Sequence, residues 1–193
     1  THDPVQVRRL RLQFSDEEQP IVGHFSGHSP LITNLLRPAL LQLLQDTRAH
    51  VLLLGRGSDD FRRQLVDAEP ALRERVSATG VLEPAMLSRH VQACDLMLQP
   101  YPDGISSRRT TAIALLADGR TIVTNEGSLT EPFWQKSGAV ELAASPDPHL
   151  LASHAAALLH DTDRRDRLAG AAKALHDRLF ASADAVARLT HPR

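Results

Sequence analysis

The chain has 193 residues, enough for one domain with a full core, and 42% hydrophobic with 23% charged residues is the balance of a soluble globular protein. A formal net charge of -1 gives no global field toward nucleic acid or an anionic membrane, and 4% aromatics leave few rings for stacking along a nucleic-acid strand. Cys94 is the single cysteine, which excludes an internal disulfide and fits a reducing, cytoplasmic location.

The first 19 residues, THDPVQVRRLRLQFSDEEQ, start without Met and lack a secretory pattern, as in a fragment or a processed product. They read as a linker or N-terminal extension ahead of a domain over 20–193. No apolar run is long enough to cross a bilayer. PIVGHF (20–25) reads as a buried strand. LITNLLRPALLQLLQ (31–45) has leucines at helical spacing, with a kink or late start expected at Pro38. HVLLLG (50–55) is a continuous apolar strand, and SDDFRRQLVDA (58–68) a helix opened by Ser58 and two aspartates. RVSATG (75–80) is a short strand. EPAMLSRHVQAC (83–94) is a helix with Pro84 near its first turn, and its Cys94 belongs to the core. DLMLQP (95–100) is a strand stopped by Pro100. RRTTAIALLADG (108–119) is a helix closed by Gly119. TIVT (121–124) and AVELA (139–143) are the last strands. Two amphipathic helices, DPHLLASHAAALLHD (147–161) and DRRDRLAGAAKALHDRLFASADAVARL (163–189), close the chain.

Continuously apolar strands are buried on both faces, so the sheet is parallel and covered by helices. The expected fold class is therefore α/β: a Rossmann-like doubly wound parallel sheet of about six strands with helices on both faces. Such sheets bind ligands beyond the carboxyl ends of their strands, near the point where strand order reverses. The loops after the strands are where chemistry belongs.

In LQPYPDGISSRRTTA (98–112), a Pro/Gly loop leads into a helix. Ser106 or Ser107 can cap that helix, and its free N–H groups attract an anion. Arg108 and Arg109 are unfavourable beside the positive helix end unless an anion or a carboxylate compensates. A diphosphate fits their planar donor forks. Otherwise the two arginines face solvent or pair with Asp103 or Asp118. GHFSGHS (23–29) is not GxGxxG, and no acidic residue follows at the spacing a dinucleotide ribose needs, so no nicotinamide cofactor is expected. Gly23 and Gly27 still allow close approach of a ligand. His24 and His28 either donate to a phosphate or sugar or serve the core. In GRGSDD (55–60), Arg56 and Gly57 stand at a strand end, with Arg56 facing a phosphate, a base or water. The ten histidines include no HExxH and no CxxC partner, so no metal site is expected, and His149, His154 and His160 read as solvated surface residues. Neither a GxSxG elbow nor a Walker loop occurs.

Laid end to end, VGHFSGH, LLLGRGS, SATGVLEP, ACDLMLQPYPDG, RRTTAIALLADG and RTIVTNEG resemble the C-terminal, donor-binding domain of GT-B glycosyltransferases of the family 4 type. The resemblance runs from about residue 20 to the closing helices and rests on the order of many weak signals. It implies a nucleotide-diphospho-sugar site for a UDP-sugar or GDP-sugar donor, without metal or other cofactor, and retaining hexosyl transfer. Gly23 to His28 match the Gly-rich loop that faces the diphosphate, with His24 where that loop often has arginine. Arg56 and Gly57 match the G-x-G beside the nucleoside, and Val81 and Leu82 the element beside the base. Asp103, Gly104 and Ile105 resemble the E-G-F loop that holds the donor sugar, with Asp103 the candidate catalytic group. Ser106, Ser107, Arg108, Arg109 and Thr110 open the helix beneath the diphosphate. The family's E-x7-E pair is absent: its second glutamate falls near Thr110, Thr111 or Ala114. The family's architecture implies a separate N-terminal acceptor-binding domain outside this chain, and donor binding without transfer by this domain alone. A non-catalytic nucleotide-sugar or interaction module, and a sugar-phosphate isomerase or epimerase of the same architecture, are the alternatives.

Overall fold

The computed structural model describes residues 3–16 and 18–181. Six strands form one parallel sheet: β1 (Ile21–Phe25), β2 (His50–Leu54), β3 (Val76–Ala78), β4 (Leu96–Leu98), β5 (Ile122–Asn125) and β6 (Glu141–Ala143). Their order is β3-β2-β1-β4-β5-β6, so strand order reverses between β1 and β4. There Val22 lies beside Leu96 and Gly23 beside Met97. All five residues of β2 are buried, as its unbroken apolar run requires.

Helices cover both faces. Val22, Val51, Leu53, Leu96, Leu98 and Val123 pack with α2 (Pro30–Asp46), α3 (Ser58–Ala68) and α7 (Pro148–Leu159). Ile21, Leu52, Leu54, Met97 and Ile122 pack on the other face with α4 (Pro84–Ala93), α5 (Thr110–Ala117), α6 (Pro132–Ser137) and α8 (Thr162–Leu179). Pro38 lies inside α2 without ending it. Both Pro38 and Asn34, whose carbonyl loses its helical partner, are exposed, so water can take the missing bond.

The region before the sheet contains α1 (Pro4–Arg11), which sequence periodicity does not reveal because none of its residues is buried. Its signal is local: Asp3 caps the N–H groups of Val5 and Gln6, and Pro4 takes the first helical position. Arg11 ties it down by donating to Ala93 O at 2.9 Å and Gln19 O at 3.0 Å and by pairing with Asp95 at 2.8 Å. The expected helix at the C-terminus is α8; the part of it beyond 181 lies outside the described residues.

Gly23 is an interior strand position rather than a loop residue open to ligand. A Cβ there would stand 2.5 Å from Met97 Sδ and 2.7 Å from Cys94 Sγ. Cys94 is itself buried, and burial pushes its thiol up to about 12. Gly23→Val is expected to overfill this space and cost about 1–3 kcal/mol, read as a lowered urea midpoint.

Candidate functional site

Beyond the carboxyl ends of β1, β2 and β3 lies a cavity of about 400 Å³ lined by Phe25, Ser26, Gly27, Gly55, Arg56, Val81, Leu82, Leu87 and Thr111. Each contributing loop is where an α/β sheet of this order places a ligand. Val81, Leu82 and Leu87 make one wall apolar, and Val81 is 72% exposed. Arg56 is exposed at the other wall and has no side-chain partner among the described residues. Gly55 lets the two loops meet: at φ +104, a Cβ would strike the carbonyl of Ser26.

His24 is buried at the end of β1. Its Nδ1 lies 2.7 Å from the Leu98 carbonyl, which can only accept, so Nδ1 carries the proton. Nε2 then accepts from the Ser26 hydroxyl at 2.8 Å. Burial, reinforced by the neighbouring His28, lowers its pKa to about 3. Both nitrogens are therefore spent inside the protein. His24 joins β1 to β4 across the strand reversal and offers no donor to a phosphate or sugar, contrary to one of its two sequence readings. His28 stands edge-on to His24 with ring centres 5.1 Å apart and packs on Phe61 at 5.8 Å. Its Nδ1 donates to Arg56 O at 3.2 Å, and burial lowers its pKa. His28 thus holds the β1 loop on the β2 loop. Gly57, in the left-handed region, opens α3 beside Gly27.

The turn after β4 settles what the two arginines do. α5 starts at Thr110, two residues later than its sequence suggests, with Arg109 at the N-cap. Neither serine caps it: Ser107 turns to Glu131, and the buried Ser106 hydroxyl has no partner. Arg109 donates to Asp103 Oδ1 at 2.6 Å and lies 4.8 Å over the Tyr101 ring. Its Nε is buried without a partner. Arg108 is exposed, with no partner among the described residues. One arginine is therefore compensated by a carboxylate, and the other is a free cation. Thr111, the second residue of α5, faces the cavity while its hydroxyl lies 3.1 Å from the Tyr101 hydroxyl.

The same turn is stitched to the loop after β5. Asn125 accepts from Tyr101 N at 2.9 Å and donates to Tyr101 O at 2.7 Å. Ile105 N donates to Asn125 O at 3.0 Å, and Leu129 N to Asp103 O at 2.9 Å. Glu131 accepts from Ser107 N at 3.1 Å, from its hydroxyl, and from Trp134 Nε1 at 3.0 Å. Burial pushes the Glu131 carboxyl up, but these donors outweigh it and hold its pKa below the usual value. Gly104 and Ile105 are buried under this contact, while Ser107 and Thr110 are exposed.

The structure thus brings Gly27, Arg56, Val81 and Leu82 to one cavity and places Arg108, Arg109 and Asp103 on the neighbouring turn. Sequence reading missed Gly55 and Leu87 in the wall and Glu131 behind the turn, whereas Phe25 and Ser26 fall inside its Gly23 to His28 loop and Thr111 among its positions for the second glutamate. Position alone could have flagged Gly55, which opens the second Gly-rich loop. A second cavity, about 620 Å³, lies at the amino ends of the strands among Arg11, Asp46, Arg48, Asp95, His160 and Arg165. Its Arg11 and Arg165 are committed to carbonyls and to Asp95, so it presents few free donors. His154, read as solvated, instead bonds the buried Glu141 at 2.6 Å, and Arg164 binds the same carboxylate at 2.7 Å. Among the described residues no cluster of His, Cys, Asp or Glu could hold a metal ion, and no helix is long and apolar enough to cross a membrane.

No family model matches the chain, and no curated protein does. Solved structures do. HepE from Anabaena, determined with UDP, superposes with a TM-score of 0.76 at 22% identity, over 98% of this chain and 52% of that one. Sucrose-phosphate synthase from Thermosynechococcus elongatus gives 0.73 at 21%, over 97% and 47%. WaaG, a glycosyltransferase involved in lipopolysaccharide biosynthesis, gives 0.68 at 15%, over 93% and 48%. The fold is that of one half of a GT-B glycosyltransferase. The chain spans about half the length of the structures it matches. In this fold, the cavity and the arginine-bearing turn lie on the same carboxyl edge of the sheet.

Proposed function

We propose that the chain is the donor-binding half of a glycosyltransferase of the family 4 type, taking a UDP-sugar or GDP-sugar without a metal and transferring its hexose with retention. The observation that carries this is the 400 Å³ cavity, apolar at Val81, Leu82 and Leu87 and cationic at Arg56, set at the carboxyl edge of a GT-B half. The base lies on the apolar wall. The diphosphate lies by Gly27 and Arg56, toward Arg108. HepE has been solved with UDP and with UDP-glucose, which supports a ligand of this chemistry.

In the transfer, the bond from the anomeric carbon to the phosphate oxygen breaks, its electron pair leaves on the nucleoside diphosphate, an acceptor hydroxyl oxygen bonds to the anomeric carbon on the same face, and the proton of that hydroxyl passes to the departing diphosphate. Cations fixed beforehand stabilise that charge as it grows. Arg56 and Arg108 are free for this role. Asp103, its side chain 41% exposed and held by Arg109, takes the hydroxyls of the sugar. The acceptor half covers the edge where Leu31, Val81 and Leu129 stand exposed.

The test is a calorimetric titration with UDP, GDP and their glucose conjugates. Arg56→Ala and Arg108→Ala are each expected to weaken the preferred nucleotide by about 10-fold, since a charge-assisted hydrogen bond contributes about 1.5 kcal/mol. Unchanged affinity in both variants would remove the arginines from the site. One observation favours the non-catalytic module: Thr110, Thr111 and Ala114 offer no carboxylate where the family has its second glutamate. Binding without sugar transfer by the complete polypeptide would decide for that reading.

A further inference from the structure

A nucleoside placed with its base on the apolar wall and its diphosphate at Gly27 and Arg56 has its pentose between them, in a cavity that Thr111 also lines. A site tells a hydroxyl from a hydrogen when a buried polar group is left unpaired by the wrong ligand. The polar side chains of this cavity are Ser26, Arg56 and Thr111. Ser26 Oγ is held between His24 Nε2 at 2.8 Å and the His28 N–H at 3.0 Å. Thr111 Oγ1 is 3.1 Å from the hydroxyl of the buried Tyr101. Arg56 is exposed, so water satisfies it. Two nearby carbonyls are engaged as well: Gly55 O accepts from Ser58 N at 3.2 Å, and Arg56 O from His28 Nδ1 at 3.2 Å. Among the described residues no carboxylate lines the cavity to take two vicinal hydroxyls side by side.

We infer that this site accepts 2′-deoxyribonucleoside diphosphates nearly as well as ribonucleoside diphosphates, so that deoxyribonucleotide-linked sugars belong to its donor class. The inference rests on the nucleoside-diphosphate reading above. Losing the 2′-hydroxyl removes at most one neutral hydrogen bond and strands no polar side chain of the cavity lining, which corresponds to roughly 2–10-fold in affinity. A site built around that hydroxyl discriminates by several orders of magnitude more.

The experiment titrates the chain with UDP and with 2′-deoxyuridine 5′-diphosphate, for wild type and for Thr111→Val. A ratio of dissociation constants below about 10 in both proteins supports the inference. A ratio above that in wild type overturns it while leaving the binding reading intact. A wild-type ratio above about 10 that collapses in Thr111→Val because UDP alone weakens overturns it and shows that Thr111 reads the pentose. If UDP does not bind at all, the underlying reading fails and takes the inference with it.

Discussion

Gly104→Ala is expected to lower stability by about 3 kcal/mol and to weaken UDP binding by about 10-fold, as loss of Arg108 does. Gly104 has φ +87, a region that L side chains adopt only with strain. A Cβ would also overlap Gly127 N and Cα and the Thr130 hydroxyl oxygen. Gly127 is no freer, because a Cβ on it would overlap the Asp103 carbonyl group. The two loops touch backbone to backbone, so neither can yield as a flexible side chain would. Strain of about 1–3 kcal/mol adds to an overpacking cost of about 1–3 kcal/mol. Relief requires the loops to part, and with them go the Ile105–Asn125 and Leu129–Asp103 hydrogen bonds and the aim of Arg108. Urea unfolding checks the first effect and calorimetry the second. A stable Gly104→Ala protein with normal affinity would show that the arginine turn does not depend on this contact.

Acid is expected to destabilise the fold through His24 well before the carboxylates titrate. Its folded pKa of about 3 lies below the 6.5 of a free histidine side chain. The unfolded chain therefore takes the proton first. The stability His24 contributes is fully present above pH 6.5 and is lost as pH falls toward 3. Each unit below 6.5 costs about 1.4 kcal/mol, so the loss at pH 5 is about 2 kcal/mol. His50, lowered to about 4 by burial and by the charge of Arg75, acts in the same direction. Denaturant unfolding between pH 5 and 7.5 reads the slope. In His24→Gln it should fall by about one proton; an unchanged slope would mean that His24 does not carry the effect.

Much of the architecture was legible because burial on both faces leaves unbroken apolar runs. β2 and α3 lie where HVLLLG and SDDFRRQLVDA place them. α1 and α6 escaped because a short helix announced by Asp-Pro or Glu-Pro has no long apolar period. In the site, loops following strands pointed to Gly27, Arg56, Val81 and Leu82. Residue pairs distant in sequence were beyond reach. Nothing in GHFSGH shows that Leu98, 74 residues later, would engage His24, or that Glu131 would reach Ser107 across 24. The pairing of Arg109 with Asp103 was one open alternative, and six residues of separation made it foreseeable.

The seam between the loops after β4 and β5 also bears on the entropy of recognition. A segment that orders only when ligand arrives spends about 0.5–1.5 kcal/mol per immobilised side chain. Here the Asn125–Tyr101 exchange, the Glu131 clamp and the Gly104–Gly127 contact form with the fold itself. That ordering cost is met at folding, and the stability of the domain and its grip on an anion are drawn from the same set of contacts.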